Sequence, residues 1–171
     1  MNSISPQAED IELIQDEFFP KYTELSKKLY FTALSILKNP EDAEDAVQDT
    51  VILGIKSYSK LLNKESFNCW IMKILINRCK RMLFLRVRFF KENEQDNKIQ
   101  EQYLSDESII LKEALSKLSY KYRVILTLRY FDDMSIKEIS HILQCPEGTI
   151  KSQLHRGMKK LKIVLGDDLS E

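Results

Sequence analysis

The sequence predicts an all-α protein built from two small helical domains. Only four glycines and four prolines occur in 171 residues, so few positions interrupt helical structure. Apolar residues recur at intervals of three and four along nearly the whole chain, the period of an amphipathic helix, and no segment shows the alternation of a strand. A hydrophobic share of 43% is sufficient for packed cores.

The first domain is predicted to span residues 1–86 and to begin with a pair of helices over residues 8–38, interrupted near Pro20. A new helix then begins at the segment NPED. Asn39 is suited to the N-cap, and Pro40 fits the first helical position because its missing N–H has no intrahelical partner there. The acidic residues that follow favour the positive end of the helix dipole.

A polar loop at residues 59–66 separates this helix from another, which begins near Phe67 and continues through Leu83. Helical spacing in this helix favours a buried position for Trp70. Residues 87–108 are then highly charged and carry little apolar periodicity. Such a composition buries too little apolar surface to offset the entropy of ordering, so we expect a flexible linker between the domains.

The second domain, residues 109–171, contains the pattern of a helix-turn-helix. Ser135 and Glu138 have the spacing of a capping box, which marks the start of a short helix. That helix ends at Gln144-Cys145-Pro146, and the next begins at about Pro146 or Glu147. In this second helix the spacing of Ile150, Leu154 and Leu161 predicts a buried stripe. A tight turn between two short amphipathic helices is the arrangement by which many proteins place a helix in the major groove of DNA.

Charge is distributed in opposed patches, although the formal net charge is zero. Neither residues 66–91 nor residues 148–165 contain an acidic residue, and basic residues accumulate in both segments. Acidic residues concentrate in the N-terminal third, including residues 41–49, and in the linker. This separation predicts more than one kind of partner surface.

Enzymatic and metal-binding functions find no support in the sequence. There is no nucleophile elbow and no glycine-rich phosphate loop, and His141 and His155 fall on different helices without matching carboxylates. Cys69, Cys79 and Cys145 are odd in number and form no C-x-x-C pair, so neither a disulfide framework nor a zinc site is indicated. We therefore expect no catalytic residue, no cofactor and no metal.

A cytoplasmic location without membrane insertion is expected. The N-terminus lacks the basic start and apolar run of a signal peptide. No uninterrupted apolar stretch reaches the length needed to span a membrane.

Two segments carry a resemblance to a known family. LSYKYRVILTLRYFDDMSIKEISHILQCPEGTIKSQLHRGMKKL resembles region 4 of the extracytoplasmic-function (ECF) sigma factors of bacterial RNA polymerase. LYFTALSILKNPEDAEDAVQDTVILGI followed by FNCWIMKILINRCKRML is similar to their region 2. Within these segments Gln144 occupies a turn position where the family often has glycine, and Arg81 stands where it frequently has aspartate.

The resemblance implies a sigma factor that binds core RNA polymerase, directs it to specific promoters and helps to melt them. In region 4 it implies contact with the -35 element by one set of residues: Glu147, Thr149, Lys151, Ser152, His155, Arg156 and Lys159. In region 2 it implies contact with the -10 element by Lys73, Asn77, Lys80 and Arg81, and polymerase binding by Asp45, Gln48 and Asp49.

The expected partners are promoter DNA and core polymerase, through its beta-prime clamp helices and its beta flap, with an anti-sigma factor as a further expected partner. Two other functions remain open from the residues alone. One is a helix-turn-helix regulator whose N-terminal domain binds a partner. The other is a sigma-like mimic that titrates an anti-sigma factor without contacting DNA.

Overall fold

A computed structural model describes residues 14–89 and 106–168, which contain seven α-helices and no strand. The helices are α1 (Phe19–Leu37), α2 (Pro40–Ser57), α3 (Phe67–Phe89), α4 (Asp106–Ser116), α5 (Tyr120–Tyr130), α6 (Ile136–Leu143) and α7 (Glu147–Asp168). A π-helical turn, Ile14–Phe18, precedes α1, and two 3-10 turns, Tyr58–Lys60 and Lys64–Ser66, lie between α2 and α3. We refer to residues 14–89 as the N-terminal unit and to residues 106–168 as the C-terminal unit. The all-α prediction is confirmed.

The predicted helix starts of the N-terminal unit agree with the structure where it is described. Asn39 caps α2, since its side-chain oxygen accepts a hydrogen bond from the Asp42 N–H at 2.9 Å, and Pro40 follows at the first position. Pro20 lies in the first turn of α1, so the predicted interruption corresponds to the change from the π-helical turn to the α-helix. Residues 8–13 of the predicted first helix lie outside the described residues.

The linker predicted at residues 87–108 overlaps the helices on both sides of it. Residues 87–89 are the last residues of α3, and residues 106–108 are the first of α4. The flexibility predicted for this linker rests mainly on residues 90–105, which lie outside the described residues.

The core of the N-terminal unit is formed by one apolar face from each of its three helices. Leu29 and Ala33 of α1, Ala43 of α2, and Ile71 and Leu75 of α3 are fully buried in it. Phe18 extends this core, and its ring lies edge-on to the rings of Tyr58 and Phe67, with ring centroids 5.4 and 5.6 Å apart. Apolar burial of this kind is the main force that holds the three helices together.

The C-terminal unit packs α4, α5 and α6 against α7. Val124 and Leu128 of α5, Ile139 of α6, and Ile150 and Leu154 of α7 are buried between the helices. At Gly157 the axis of α7 comes close to α5, because a Cβ atom there would lie 3.3 Å from a methyl carbon of Leu126. The stripe predicted from the spacing of Ile150, Leu154 and Leu161 is thus the packing face of α7.

The two units contact each other along α1 and α3. α1 packs against α5 and α4, and α3 packs against α6. The sequence predicted two domains but gave no indication that they pack together. Polar side chains take part in this contact: the Thr32 hydroxyl of α1 donates to the Asp132 carboxylate at 2.8 Å, and the hydroxyls of Ser35 and Thr127 lie 2.9 Å apart.

Gly54 of α2 provides a test of the N-terminal core. A Cβ atom there would lie 3.0 Å from two ring carbons of Phe18 and 3.1 Å from the Ile71 Cδ1. Overpacking of this kind costs about 1–3 kcal/mol, more than the roughly 1 kcal/mol of helix propensity that alanine adds. We expect Gly54→Ala to lower the free energy of unfolding by about 1 kcal/mol in a denaturant titration.

Gly148→Ala is the matched control, because a Cβ atom at this position of α7 meets nothing within 4 Å. This variant should be as stable as the wild type or more stable by up to about 1 kcal/mol. Equal stability of the two variants would contradict the close packing of α2 on Phe18.

Candidate functional site

The second helix of the helix-turn-helix, α7, presents its predicted DNA-contacting residues on the side opposite its buried stripe. Ile150 and Leu154 fix the rotation of the helix by packing into the C-terminal unit. The exposed residues are Glu147, Lys151, Ser152, His155, Arg156 and Lys159. Thr149 is half-buried. Six of the seven predicted residues therefore lie on one solvent-facing surface, which we call the α7 basic face.

The orientation of α7 relative to α6 depends on the short turn between them. Ser135 and Glu138 form the predicted capping box at the start of α6, with each side chain bonded to the backbone N–H of the other. At the other end, Gln144 adopts the left-handed conformation with φ 53°. Glycine adopts this conformation without strain, so the glutamine is held there by its surroundings. The Ser140 hydroxyl contributes by donating a 2.6 Å hydrogen bond to the Cys145 carbonyl.

The positive charges of the α7 basic face are not neutralised by ion pairs. None of the salt bridges found among the described residues involves a basic residue of α7. Glu147, at the first position of the helix, is the one acidic residue near this face, and no other occurs before residue 166. Exposed, unpaired lysine and arginine side chains at helix positions that can enter a groove are suited to phosphate oxygens and base edges.

A second basic surface lies on α3 in the N-terminal unit. Asn77, Lys80 and Arg81 are exposed and Lys73 is half-buried, and the four positions share one side of the helix. We call this surface the α3 basic face. No salt bridge between described residues involves any of the four.

Two other basic residues of α3 have an internal role. Arg78 forms a salt bridge with Asp49 at 2.5 Å, and Arg86 forms one with Asp42 at 2.9 Å. Both pairs join α3 to α2. The positive field available to a ligand on α3 is therefore smaller than the basic composition of the segment indicates.

The acidic surface predicted on α2 is divided by these contacts. Asp45 and Gln48 are exposed, whereas Asp49 is partly buried and paired with Arg78. Next along the same exposed surface lie Ile52 and Leu53, which are 50% and 47% exposed. Neither apolar residue was among the predicted polymerase-binding residues, although residues four apart share a helix face and Ile52 follows Gln48 at that interval. Exposed apolar residues beside charges are typical of protein-binding surfaces.

The loop at residues 59–66 is anchored at its base by contacts of Lys64. The Lys64 Nζ lies 3.6 Å from the ring centroid of Tyr58 and 3.8 Å from the Glu17 carboxylate. The Tyr58 hydroxyl donates to the same carboxylate at 3.1 Å, and burial together with this bond raises the pKa of Tyr58 to about 12. Leu62 at the tip of the loop is fully exposed. The loop therefore presents an apolar side chain from a fixed base.

Trp70 is less buried than the sequence predicted. Helical spacing favoured a core position, and the indole does pack against Phe67 and Tyr58, with ring centroids 5.7 and 6.1 Å away. It nevertheless retains partial exposure, while Phe67 is buried. The Phe67 ring also packs edge-on to the fully buried ring of Phe18, whereas the ring contacts of Trp70 are with Tyr58 and Phe67.

Two kinds of site are not found in the described parts of the chain. No cluster of three or more histidine, cysteine, aspartate or glutamate residues there is arranged to hold a metal ion. Among the helices that the structure describes, none combines the length and the apolar character that crossing a membrane would require.

Comparison with known families agrees with this division into two units. Residues 22–88 match the family model for sigma-70 region 2, and residues 108–161 match the model for sigma-70, region 4. The two matches cover the α3 basic face and the α7 basic face respectively.

The similarity to known proteins extends over nearly the whole length of this chain. The RNA polymerase sigma factor SigV of Bacillus subtilis is 32% identical over 153 residues, which is 86% of this chain and 91% of the relative. The ECF RNA polymerase sigma factor SigW of the same organism is 25% identical over 170 residues, or 90% of this chain and 91% of that protein.

Among solved structures, the sigma factor RpoE in complex with the anti-sigma factor NepR from Bartonella quintana is similar, with a TM-score of 0.79 and 25% identity. The match covers 87% of this chain and 96% of the other, so it includes both units. From the two region matches in order, and from relatives similar along almost the entire chain, we conclude that the protein belongs to the sigma-70 family of RNA polymerase sigma factors, in its ECF group.

Proposed function

We propose that this chain, as a sigma factor, directs core RNA polymerase to promoters by using the α7 basic face for the -35 element and the α3 basic face for the -10 element. The observation that carries the proposal is the pair of basic faces, one on each unit. Their charges make no salt bridge within the described residues and remain available to DNA. A helix-turn-helix regulator would require such a face on one unit only.

On the -35 side, α7 would enter the major groove with its first turns. Arg156 and Lys151 stand on the exposed side of the helix, where an arginine can form two hydrogen bonds to a guanine edge. Lys159 lies further along the helix and is suited to a phosphate. Base contacts would supply sequence preference, and phosphate contacts would supply affinity that decreases with salt.

On the -10 side, α3 would hold DNA whose strands are being separated. Lys80 and Arg81 can follow the sugar-phosphate backbone, and Asn77, about one turn before them on the same side of α3, carries an amide that can pair with a base edge. The adjacent 59–66 loop carries the exposed Leu62 between the packed rings of Tyr58 and Phe67 in sequence, and an exposed apolar side chain suits contact with an unstacked base.

The exposed part of the α2 surface is the proposed polymerase contact. Asp45 and Gln48 supply polar groups, and Ile52 adds apolar area beside them. Asp49 supports this surface from within through its pair with Arg78. The beta-prime clamp helices are the proposed partner here, and the beta flap is the proposed partner of the C-terminal unit.

An anti-sigma factor is a further proposed partner, supported by the similarity of both units to a sigma factor solved with such an inhibitor. The proposed role is one of recruitment and DNA binding, without catalysis by the chain itself. It would place the protein in the cytoplasm with the polymerase.

Transcription by purified core polymerase is the direct test of this function. With a library of promoter sequences as template, we expect promoter-selective transcripts only when this protein is added. Binding of DNA without any effect on transcription would favour the helix-turn-helix regulator. Binding of an anti-sigma factor without binding of polymerase or DNA would favour the mimic.

The polymerase contact can be tested with a double variant that carries Asp45→Lys and Gln48→Lys. Placing two lysines on this surface should weaken binding of core polymerase by at least about tenfold, because like charges would meet a surface arranged for an acid. Co-purification or fluorescence anisotropy measures the change. Glu24→Lys, at an exposed position of α1, is the control and should bind as the wild type does.

Asp49 is unsuitable for this test. A lysine there would face the Arg78 guanidinium and disturb the contact between α2 and α3, so reduced binding would have two explanations. Unchanged polymerase binding by the Asp45 and Gln48 double variant would show that the polymerase contact lies elsewhere.

Arg156 and Lys159 are expected to differ in how their loss affects DNA binding. Arg156→Ala should cost about 1–3 kcal/mol and relax the preference at one promoter position, if its paired hydrogen bonds reach a base. Lys159→Ala should weaken binding to all promoters by a similar factor. It should also reduce by about one the magnitude of the slope of log affinity against log salt concentration. Holoenzyme binding to promoter variants at several salt concentrations separates the two effects.

Neither substitution touches the packing stripe of Ile150, Leu154 and Leu161, so both variants should remain folded. Alanine at both Lys151 and Arg156 provides the decisive comparison. If that double variant keeps the affinity and the sequence preference of the wild type, α7 is only a basic surface helix.

A further inference from the structure

The π-helical turn Ile14–Phe18 packs against both ends of the 59–66 loop. Tyr58 immediately precedes the loop and Phe67 immediately follows it, and their ring centroids are 5.9 Å apart. The buried Phe18 ring lies edge-on to both of these rings. Edge-on contact is a preferred geometry for aromatic pairs, so the turn and the two ends of the loop form one packed cluster.

Glu17, the residue before Phe18, adds polar contacts to this cluster. Its carboxylate accepts a 3.1 Å hydrogen bond from the Tyr58 hydroxyl and lies 3.8 Å from the Lys64 Nζ. The same Nζ lies 3.6 Å from the centroid of the Tyr58 ring and donates to the Tyr58 carbonyl at 3.4 Å. Lys64 therefore joins the second half of the loop to the residue where the loop begins. We call Glu17, Tyr58 and Lys64 the loop anchor.

The backbone next to Lys64 is held by further hydrogen bonds. The Lys21 Nζ of α1 donates to the Lys64 carbonyl at 3.3 Å. The Asn63 carbonyl accepts from the hydroxyl of Ser66 at 2.7 Å and from its N–H at 3.2 Å. The exposed Leu62 directly precedes this bonded stretch. The direction in which its side chain points therefore depends on where the loop anchor holds residue 64.

The loop anchor lies partly outside the segment that matches the family. Residues 22–88 match the model for sigma-70 region 2, whereas Glu17 and Lys21 precede that segment. Both residues nevertheless contact Lys64, which lies inside it. The turn before α1 is thus tied to the loop by contacts that the family match does not include.

Stabilising the fold does not account for the loop anchor. The side chains of Glu17 and Lys64 are 43% and 34% exposed, and ion pairs of this kind contribute little to the free energy of folding. Burial of the Phe18 ring already fixes the turn on the core. What the anchor adds is a restriction on the loop tip. Ordering a loop before its ligand arrives reduces the entropy that is lost on binding.

We propose that Glu17, Tyr58 and Lys64 are positioning residues that hold the 59–66 loop in the orientation in which Leu62 meets an unpaired base of the -10 element. The inference rests on the proposed function, which brings such a base to this loop. It gives the turn before the region 2 match a role in promoter recognition without any contact of its own with DNA. Placement matters because unstacking a base costs free energy, which a contact offsets only when it is well fitted.

A direct contact between Lys64 and a phosphate is the competing explanation, and it predicts the opposite effect at Glu17. If Lys64 contacted DNA, Glu17→Gln would remove an acidic competitor and strengthen the binding of DNA. If Glu17 positions Lys64, the same substitution should weaken base discrimination, as Lys64→Met should. Tyr58→Phe is the third variant, because it removes the hydroxyl that bonds to Glu17 while changing no charge and keeping the ring.

Holoenzyme binding to partly single-stranded promoter probes measures base discrimination. The probes combine a duplex -35 element with a single-stranded -10 element from a promoter selected in the transcription experiment, and each -10 position is replaced by the other three bases in turn. Wild-type holoenzyme should prefer one base at the position that the loop contacts. Glu17→Gln, Lys64→Met and Tyr58→Phe should each reduce that preference by about threefold to tenfold, as expected for the loss of one hydrogen bond or two. Binding to a probe with only the duplex -35 element should stay within about twofold of the wild type.

Matched controls remove the same charges at positions away from the loop. Asp16→Asn changes the neighbouring exposed residue of the same turn, and Lys27→Met changes an exposed lysine of α1. Both should keep the base preference within about twofold of the wild type. Lys64→Arg should retain most of the preference, because a guanidinium can also pair with the acid of the turn and lie over the same ring. Thermal unfolding and the fluorescence of Trp70, the only tryptophan of the chain, check that the aromatic cluster keeps its packing.

Leu62→Ala separates failure of the positioning role from failure of the proposed function. If this variant loses the base preference while the three anchor variants keep it, the positioning role is overturned and the proposed function stands. Stronger DNA binding by Glu17→Gln, together with a slope of log affinity against log salt concentration that is smaller by about one in Lys64→Met, would overturn it in favour of the phosphate contact. If Leu62→Ala also keeps the preference, the loop does not contact the base, and that part of the proposed function is wrong together with the positioning role.

Discussion

The Arg123 guanidinium lies buried where α1, the end of α4 and the start of α5 meet, and its hydrogen-bond partners are main-chain carbonyls. A buried charge without a carboxylate is costly, and burial accordingly lowers the pKa of Arg123. The carbonyls of helix ends offset this cost because they carry partial negative charge. Arg123 thereby fixes α5 relative to α1. Since α7 packs on α5, the position of the α7 basic face relative to the N-terminal unit follows from this contact.

Features governed by neighbours in sequence were predictable. The Ser135–Glu138 capping box, the Asn39 cap and the buried stripe of α7 all depend on residues within a few positions, and each prediction agrees with the structure. Partners distant in sequence were not predictable. Thr32 and Asp132 are 100 residues apart, and Arg123 lies 87 residues from Ile36, so helical periodicity contains no information about either contact. The residues assigned to DNA and polymerase remain predictions, supported by exposure and charge.

Ion pairing changes how the charge pattern of the sequence should be interpreted. The acidic segment of α2 and the basic segment of α3 partly satisfy each other, through Asp49 with Arg78 and Asp42 with Arg86. Such partly exposed pairs add little stability individually, but they orient the two helices and remove four charges from the fields that partners meet. Asp45 and Lys80 remain exposed on the two helices. A net charge of zero is therefore compatible with an acidic face on α2, suited to a basic protein partner, and a basic face on α3, suited to DNA.

The two kinds of interface in the molecule differ in how readily they can separate. Within each unit, side chains such as Leu75 and Ile139 are fully buried against apolar neighbours, and exposing them to water would be strongly unfavourable. Between the units, Thr32, Ser35, Thr127 and Asp132 make hydrogen bonds that water can replace at modest net cost. The unfavourable burial of the ionised Asp132 carboxylate at neutral pH lowers that cost further. Rigid units joined by an exchangeable seam can keep each basic face intact while the distance between the faces changes.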